Sequence, residues 1–112
     1  MPKVYGIHMV ELHPRVKAED FEKFVKEEMP QSLFEGWKAY LLKGDRGDRK
    51  DKYLLMYEIE SVEARNRVIS STGELSEEAK QFFESHGAMF EKWATFATPL
   101  TKTIFTDYVV LF

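Results

Sequence analysis

Several features that are common in other protein classes are absent from this sequence. It contains no cysteine, which excludes a disulfide framework, thiolate zinc sites and cysteine nucleophiles, and agrees with a reducing compartment. Its first ten residues show no signal peptide, and no stretch approaches the roughly 20 apolar residues of a membrane span. Charge of one sign is lacking too, because 16 basic and 19 acidic residues are interleaved. These features predict a soluble, cytoplasmic protein that binds neither nucleic acid nor membrane.

Aromatic residues, in contrast, are frequent. Nine Phe, five Tyr and two Trp make up 14% of the 112 residues, within an apolar fraction of 44%. The length fits a single domain, residues 1–112, that can build its own hydrophobic core. So many aromatic side chains indicate an aromatic-lined cavity or interface.

Residue patterns predict four strands and three helices. The strands, rich in β-branched and aromatic residues, are residues 4–13, 36–43, 52–60 and 103–112. A first helix follows Lys17 and stops before Pro30, and a short second helix starts at an N-cap, Ser61. The longest helix is predicted from Ser76 to Pro99, with an apolar stripe formed by Ala79, Phe83, His86, Phe90, Trp93 and Ala97.

The order of these elements is β-α-β-β-α-β with one extra short helix. This is the split βαβ, ferredoxin-like arrangement of an α+β protein, with a four-stranded antiparallel sheet and both main helices on one face. Strand alternation nevertheless places apolar residues on both faces of the sheet, and we group Tyr5, Ile7 and Met9 with Trp37, Ala39 and Leu41 on one of them. Because the helices cover one face only, we expect a homodimer whose second copy covers the other; the alternative is a less apolar face with frayed strand ends.

With this element order and two-sided sheet, and with the strand-to-helix junction YEIESVEAR at residues 57–65, the chain resembles the dimeric α+β barrel superfamily. That group includes antibiotic-biosynthesis-type monooxygenases, haem-degrading monooxygenases, NIPSNAP-like and EthD-like proteins. The resemblance implies a dimeric barrel and, as one activity, oxidation of an aromatic compound by a cofactor-independent monooxygenase-like oxidoreductase. The first helix lacks the histidine that EthD-like members carry there.

His86 is the first catalytic candidate, because it occupies a position on the apolar stripe where a core leucine is expected. It has the chemistry to act as an acid or base in a cavity or, as the resemblance to haem-degrading members implies, to ligate haem. Trp93 lies seven residues on, but those members have the aromatic residue before the histidine, and the first strand lacks their asparagine. The alternative is a partly buried histidine bonded to a neighbour.

His8 is the second catalytic candidate, since a histidine inside a central strand needs partners for its nitrogens. It either lines a ligand pocket, with Gly6 on the same face leaving room beside it, or is a satisfied structural histidine. Asp107, in the apolar last strand, is either a buried carboxylate with a raised pKa or a solvent-facing residue at an edge.

Five aromatic residues are the candidates for binding a flat ligand, and the alternative is that they are ordinary core residues. They are Trp37, Tyr40, Tyr57, Trp93 and Tyr108. No metal site is predicted, since three histidines without cysteine make a transition-metal cage improbable.

Three hypotheses about function follow. The first is a homodimer that binds a small hydrophobic or aromatic molecule in a cavity between sheet and helices, with or without monooxygenase-like activity and without a cofactor. The second is a haem-binding or haem-degrading protein that uses His86. The third is a non-catalytic interaction or assembly protein in which the sheet face serves only subunit contacts.

Overall fold

The computed structural model describes residues 2–112. These residues form four strands and five helices in the order β1 (Val4–Val10), α1 (Ala18–Glu28), β2 (Trp37–Lys43), β3 (Tyr53–Ile59), α2 (Val62–Val68), α3 (Glu77–Ser85), α4 (Gly87–Phe96), α5 (Leu100–Thr103) and β4 (Phe105–Val109). β2 and β3 form an antiparallel hairpin. The strands are shorter than predicted, and α5 was not predicted.

The strands form one open sheet in the order β2-β3-β1-β4, and every neighbouring pair is antiparallel. The predicted α+β class with a four-stranded antiparallel sheet is therefore confirmed, and the strand order is of the ferredoxin-like type. β1 lies at the centre between β3 and β4, so its side chains contact residues from distant parts of the chain.

The register decides which residues share a face. Val4 lies opposite Ile59, and Ile59 lies opposite Trp37, so Trp37 shares a face with Val4 rather than with Tyr5. The grouping of Tyr5, Ile7 and Met9 with Trp37 was therefore wrong. Alternation within each strand was read correctly, but shifting one strand by a single residue exchanges its two faces, and a strand's own sequence does not reveal that shift.

The hydrophobic core lies between the helices and the face of the sheet that carries Val4, the helix-facing side. It consists of two clusters of buried residues. One contains Val4, Phe34, Trp37, Ile59, Ala64, Val68 and Ala79, and the other contains Val10, Phe21, Tyr53, Leu55 and Ala97.

The predicted continuous helix from Ser76 to Pro99 was wrong, because it is broken at His86. The backbone of His86, at φ −112° and ψ 24°, ends α3 and precedes α4. Two local causes act together. Gly87 is a poor residue for a helix interior. The side chains of Ser85 and His86 both hydrogen-bond the carbonyl oxygen of Phe82, which also accepts from the backbone N–H of His86.

Helix α1 is fastened to the sheet by a polar contact at its exposed side. The Tyr53 hydroxyl donates a short hydrogen bond to the Glu22 carboxylate, and Lys43 Nζ lies 3.5 Å from the same oxygen. The hydrogen bond from Tyr53, assisted by the charge of Lys43, lowers the pKa of Glu22 below its ordinary value. Burial and the bonded carboxylate raise the pKa of Tyr53.

Tyr53→Phe should therefore weaken the dependence of stability on acid pH. A carboxyl whose pKa is lowered by folding stabilises the fold above its unfolded pKa, and the contribution is lost as pH falls through the folded pKa. Because the carboxylate is half-exposed, we expect a loss of only about 0.5–1.5 kcal/mol at pH 7. The difference between the two proteins should shrink toward pH 2 in urea titrations. Tyr5→Phe, which removes a hydroxyl from Glu58 on the other face, is the control. Equal pH profiles for wild type and Tyr53→Phe would contradict this account.

Candidate functional site

His8 lies in the middle of β1 on the helix-facing side of the sheet, half-buried. Its Nδ1 is 2.9 Å from the backbone carbonyl oxygen of Thr101 in α5. A carbonyl oxygen only accepts, so in the neutral ring Nδ1 carries the hydrogen and Nε2 is left as an acceptor. The backbone thus sets the tautomer of His8 and leaves a basic nitrogen for another group.

Two aromatic rings flank His8. Phe105 of β4 stacks on the imidazole, with ring centroids 5.0 Å apart and an interplanar angle of 11°. Tyr57 of β3 meets it edge-on at 5.3 Å and 88°. Burial raises the pKa of Tyr57 to about 12, so its hydroxyl stays protonated at neutral pH. Phe105 is 53% exposed and provides an accessible aromatic wall.

Gly6 places no side chain between His8 and Asp107. A Cβ atom at residue 6 would lie 3.8 Å from His8 Nε2 and only 3.0 Å from Asp107 Oδ1. Gly6 lies on the same face of the sheet as His8, as strand alternation predicts. That it leaves room for a ligand stays a prediction. The absent side chain also lets the carboxylate of Asp107, which lies opposite Gly6 in the ladder, rest against the central strand.

Asp107 is held by Arg65. Arg65 Nη1 is 3.4 Å from Asp107 Oδ2, and the two side chains are 25% and 31% exposed. Asp107 is thus an exposed residue at the sheet edge, as one of the two interpretations predicted. It lies on the helix-facing side, and Arg65 is its ion-pair partner. Arg65 was not predicted as a site residue, because nothing local to α2 indicates that it reaches a strand 42 residues away.

Thr101 combines two unusual features. Its carbonyl oxygen positions His8, and its side chain is 8% exposed, with no hydrogen-bond partner for Oγ1 among residues 2–112. Buried hydroxyls are nearly always bonded to protein or water.

We define the His8 site as Gly6, His8, Tyr57, Arg65, Thr101, Phe105 and Asp107. It is open toward β4, whose five residues are all exposed.

His86 lies in a different place. Its ring stacks on Phe82 at 4.2 Å, and its Nδ1 is 2.9 Å from the Phe82 carbonyl oxygen and 3.1 Å from Ser85 Oγ. These contacts are all to α3, whereas those of His8 are to α5, β3 and β4, so the two histidines do not form one site. The contact with a neighbour anticipated as the alternative for His86 is present. Haem ligation stays a prediction, and Nε2 is the nitrogen left for it.

The five candidate aromatic residues are divided among three places. Trp37 and Tyr57 pack against each other on the helix-facing side, and Trp37 Nε1 donates to the Ala64 carbonyl oxygen at 3.3 Å. Trp93 packs on Phe21 in the other core cluster. Tyr40 and Tyr108 lie on the opposite face of the sheet, 38% and 57% exposed. Of the five, Tyr57 alone contributes to the His8 site.

No helix of residues 2–112 packs on that opposite face. We call it the open face, and it is defined by Tyr5, Ile7, Met9, Tyr40, Leu42, Leu54, Met56 and Tyr108. None of these residues is buried, although most are apolar. At one end of the open face, Glu58 accepts a hydrogen bond from the Tyr5 hydroxyl and lies 3.7 Å from Lys3 Nζ. An apolar surface of this kind is characteristic of a contact region.

Two shallow clefts adjoin β2. One has a volume of about 290 Å³ and is lined by Lys3, Ser32, Gly36, Trp37, Lys38, Glu58 and Glu60. The other, of about 220 Å³, runs beside Tyr40. Neither cleft is lined by His8 or His86. Residues 2–112 contain no cluster of three or more His, Asp or Glu side chains suited to a metal ion.

No helix in the described part of the chain has both the length and the apolar character needed to cross a membrane.

No protein-family model matches the chain, and no curated protein is significantly similar to it. What the fold and the site define together is a small α+β domain of ferredoxin-like type. It has one apolar sheet face without a cover and a histidine site open at the edge of the sheet.

Proposed function

We propose that this protein binds a small, flat, hydrophobic or aromatic molecule at the His8 site and works as a homodimer of the dimeric α+β barrel type. The observation that carries the proposal is the environment of His8. One nitrogen is bound to the Thr101 carbonyl, the other is available beside Gly6, and the exposed Phe105 ring covers one face of the imidazole. A ligand with an apolar body and one polar group suits such a site.

The homodimer is supported by the amount of exposed surface. A monomer of 13.2 kDa is expected to expose about 6,400 Å², whereas this chain exposes 7963 Å². The excess of about 1,500 Å² per chain is of the size that obligate homodimers bury, roughly 2,000–5,000 Å² over both copies. The open face, together with the exposed C-terminal Leu111 and Phe112, supplies apolar surface for this contact.

An enzymatic version of the proposal uses His8 as the base. A ligand hydroxyl within reach would transfer its proton to Nε2, and the resulting anion would be the electron-rich species that molecular oxygen attacks in a cofactor-independent monooxygenase. The other ring hydrogen stays on Nδ1, bonded to the Thr101 carbonyl oxygen, so the imidazolium would be stabilised as it forms. Asp107 Oδ1 and His8 Nε2 both lie within 4 Å of the Cβ position of Gly6.

Gly6→Ala tests the site, because the new methyl group would occupy the space that Asp107 Oδ1 and His8 Nε2 face. With phenol and 2-naphthol as probes in calorimetry and thermal-shift titrations, we expect Gly6→Ala and His8→Phe to lose binding at least about tenfold, or 1.4 kcal/mol. Gly87→Ala is the matched control, since a Cβ there meets nothing within 4 Å. Equal binding by Gly6→Ala and Gly87→Ala, or no stabilisation of the wild type by either probe, would refute the proposed site.

The open face also favours the assembly hypothesis, in which subunit contact is the whole function. The same titrations separate the two hypotheses. A protein that is dimeric but binds neither probe would support assembly alone. Haem binding by His86 is checked independently, by a Soret band on titration with haem that is lost in His86→Ala.

A further inference from the structure

The two polar side-chain atoms nearest to the Cβ position of Gly6 are both hydrogen-bond acceptors. His8 Nε2 is an acceptor because Nδ1 carries the ring hydrogen. Asp107 Oδ1 is an acceptor as well, and Arg65 binds the other carboxylate oxygen, Oδ2. Both acceptors lie within 4 Å of the point where a Cβ of residue 6 would be.

We propose that the His8 site selects ligands in which an NH₂ group on a flat aromatic body donates two hydrogen bonds. Ligands whose polar group only accepts hydrogen bonds, such as carboxylates, bind less tightly. The proposal rests on the ligand site proposed above and adds the chemistry of its ligand. One NH₂ group presents two hydrogens from a single atom, which matches two acceptors that face one small space.

Charge supports a neutral head group. Asp107 is already compensated by Arg65, so an added cation would lie close to the guanidinium. An added anion would face the Asp107 carboxylate, and in the neutral ring Nε2 of His8 has no hydrogen to donate. An acceptor that loses water when a ligand binds, and gains no donor in exchange, weakens binding, so the site binds better when both acceptors receive a hydrogen.

The aromatic body has a place beside the head group. Phe105 is stacked on His8 and 53% exposed. Its accessible ring edge lies at the open side of the site, where the aromatic body of a ligand would pack.

The experiment uses four probes of nearly equal size that differ in donors. They are aniline with two hydrogens on nitrogen, phenol with one on oxygen, toluene with none, and benzoate with acceptors only. Binding to the 112-residue chain is measured by chemical-shift titration at pH 7.5. We expect aniline to bind at least about tenfold more tightly than toluene, phenol to be intermediate, and benzoate to be the weakest.

Asp107→Asn supplies the internal check. The amide has nearly the shape of the carboxylate but turns a donor toward the space when its oxygen faces Arg65, so the preference for aniline over benzoate should fall several-fold. Unfolding curves of the variant show whether it still folds; if it does not, the wild-type probe series decides. If toluene binds the wild type as well as aniline does, and Gly6→Ala abolishes both, the ligand site stands and the donor rule is overturned. If no probe responds to Gly6→Ala, the ligand site itself fails.

Discussion

Phe21→Ala should lower the free energy of unfolding by about 3–5 kcal/mol, the cost of removing a large aromatic side chain from a core. Phe21 is fully buried, and its ring contacts those of Tyr53, Trp93 and Phe96 at centroid distances of 5.2, 5.4 and 5.9 Å. A single side chain of α1 thereby connects β3 with α4. Its loss leaves a cavity among rigid rings that cannot collapse to fill it.

A loss of this size is a large part of the total stability of a domain, which is typically about 5–15 kcal/mol. The measurement is urea unfolding followed by circular dichroism, with Lys23→Ala on the exposed side of the same helix as the control. Phe21→Leu should fall between the two because it keeps part of the volume. A Phe21→Ala protein within 0.5 kcal/mol of Lys23→Ala, a range typical of surface substitutions, would show that this cluster is not the core described.

Ile7→Glu should convert the proposed dimer into a monomer. Ile7 lies in the central strand on the open face, between Met56 of β3 and Thr106 of β4. In a monomer the new carboxylate is partly hydrated, so folding is retained. In a sheet-to-sheet interface it would be buried without a partner, at a cost of several kcal/mol, which corresponds to a dissociation constant raised about a hundredfold or more.

Ile69→Glu is the matched control, since Ile69 is 37% exposed and is not part of the open face. Sedimentation equilibrium of the three proteins over a range of concentrations measures the change. A monomeric wild type at millimolar concentration would end the dimer proposal. So would an Ile7→Glu protein that associates as strongly as the wild type.

Much of the fold could be predicted because the signals are local. The hairpin of β2 and β3 follows from two strand patterns separated by the charged segment at residues 44–51, where Gly44 is required: a Cβ there would lie 1.8 Å from the Arg49 carbonyl oxygen. Ser61 was predicted as an N-cap and Ser76 as the start of the longest helix, and their hydroxyls accept from the amides of Ala64 and Ala79. Each of these signals acts within about six residues.

The candidate site could be predicted only in part. His8 and Gly6 share one strand, so their common face follows from alternation. Asp107, 101 residues after Gly6, reaches the site through the β1–β4 ladder. Arg65, 57 residues after His8, reaches it through the packing of α2. No local pattern encodes contacts at such separations. The five aromatic candidates illustrate the same limit. Their spacing within each element was read correctly, yet Tyr40 and Tyr108 lie on the open face while Trp37 lies in the core.

The α+β class, the order of the elements, the two apolar faces of the sheet and the absence of cysteine chemistry can all be predicted from the amino-acid sequence. These features depend on composition or on periods of two and 3.6 residues. Only the tertiary structure decided which face the helices cover, where the long helix breaks, and that His8 has one nitrogen bound and one available. The physical reason is that register and hydrogen-bond partners are set by contacts between distant segments. His8 obtains its tautomer from Thr101, 93 residues away.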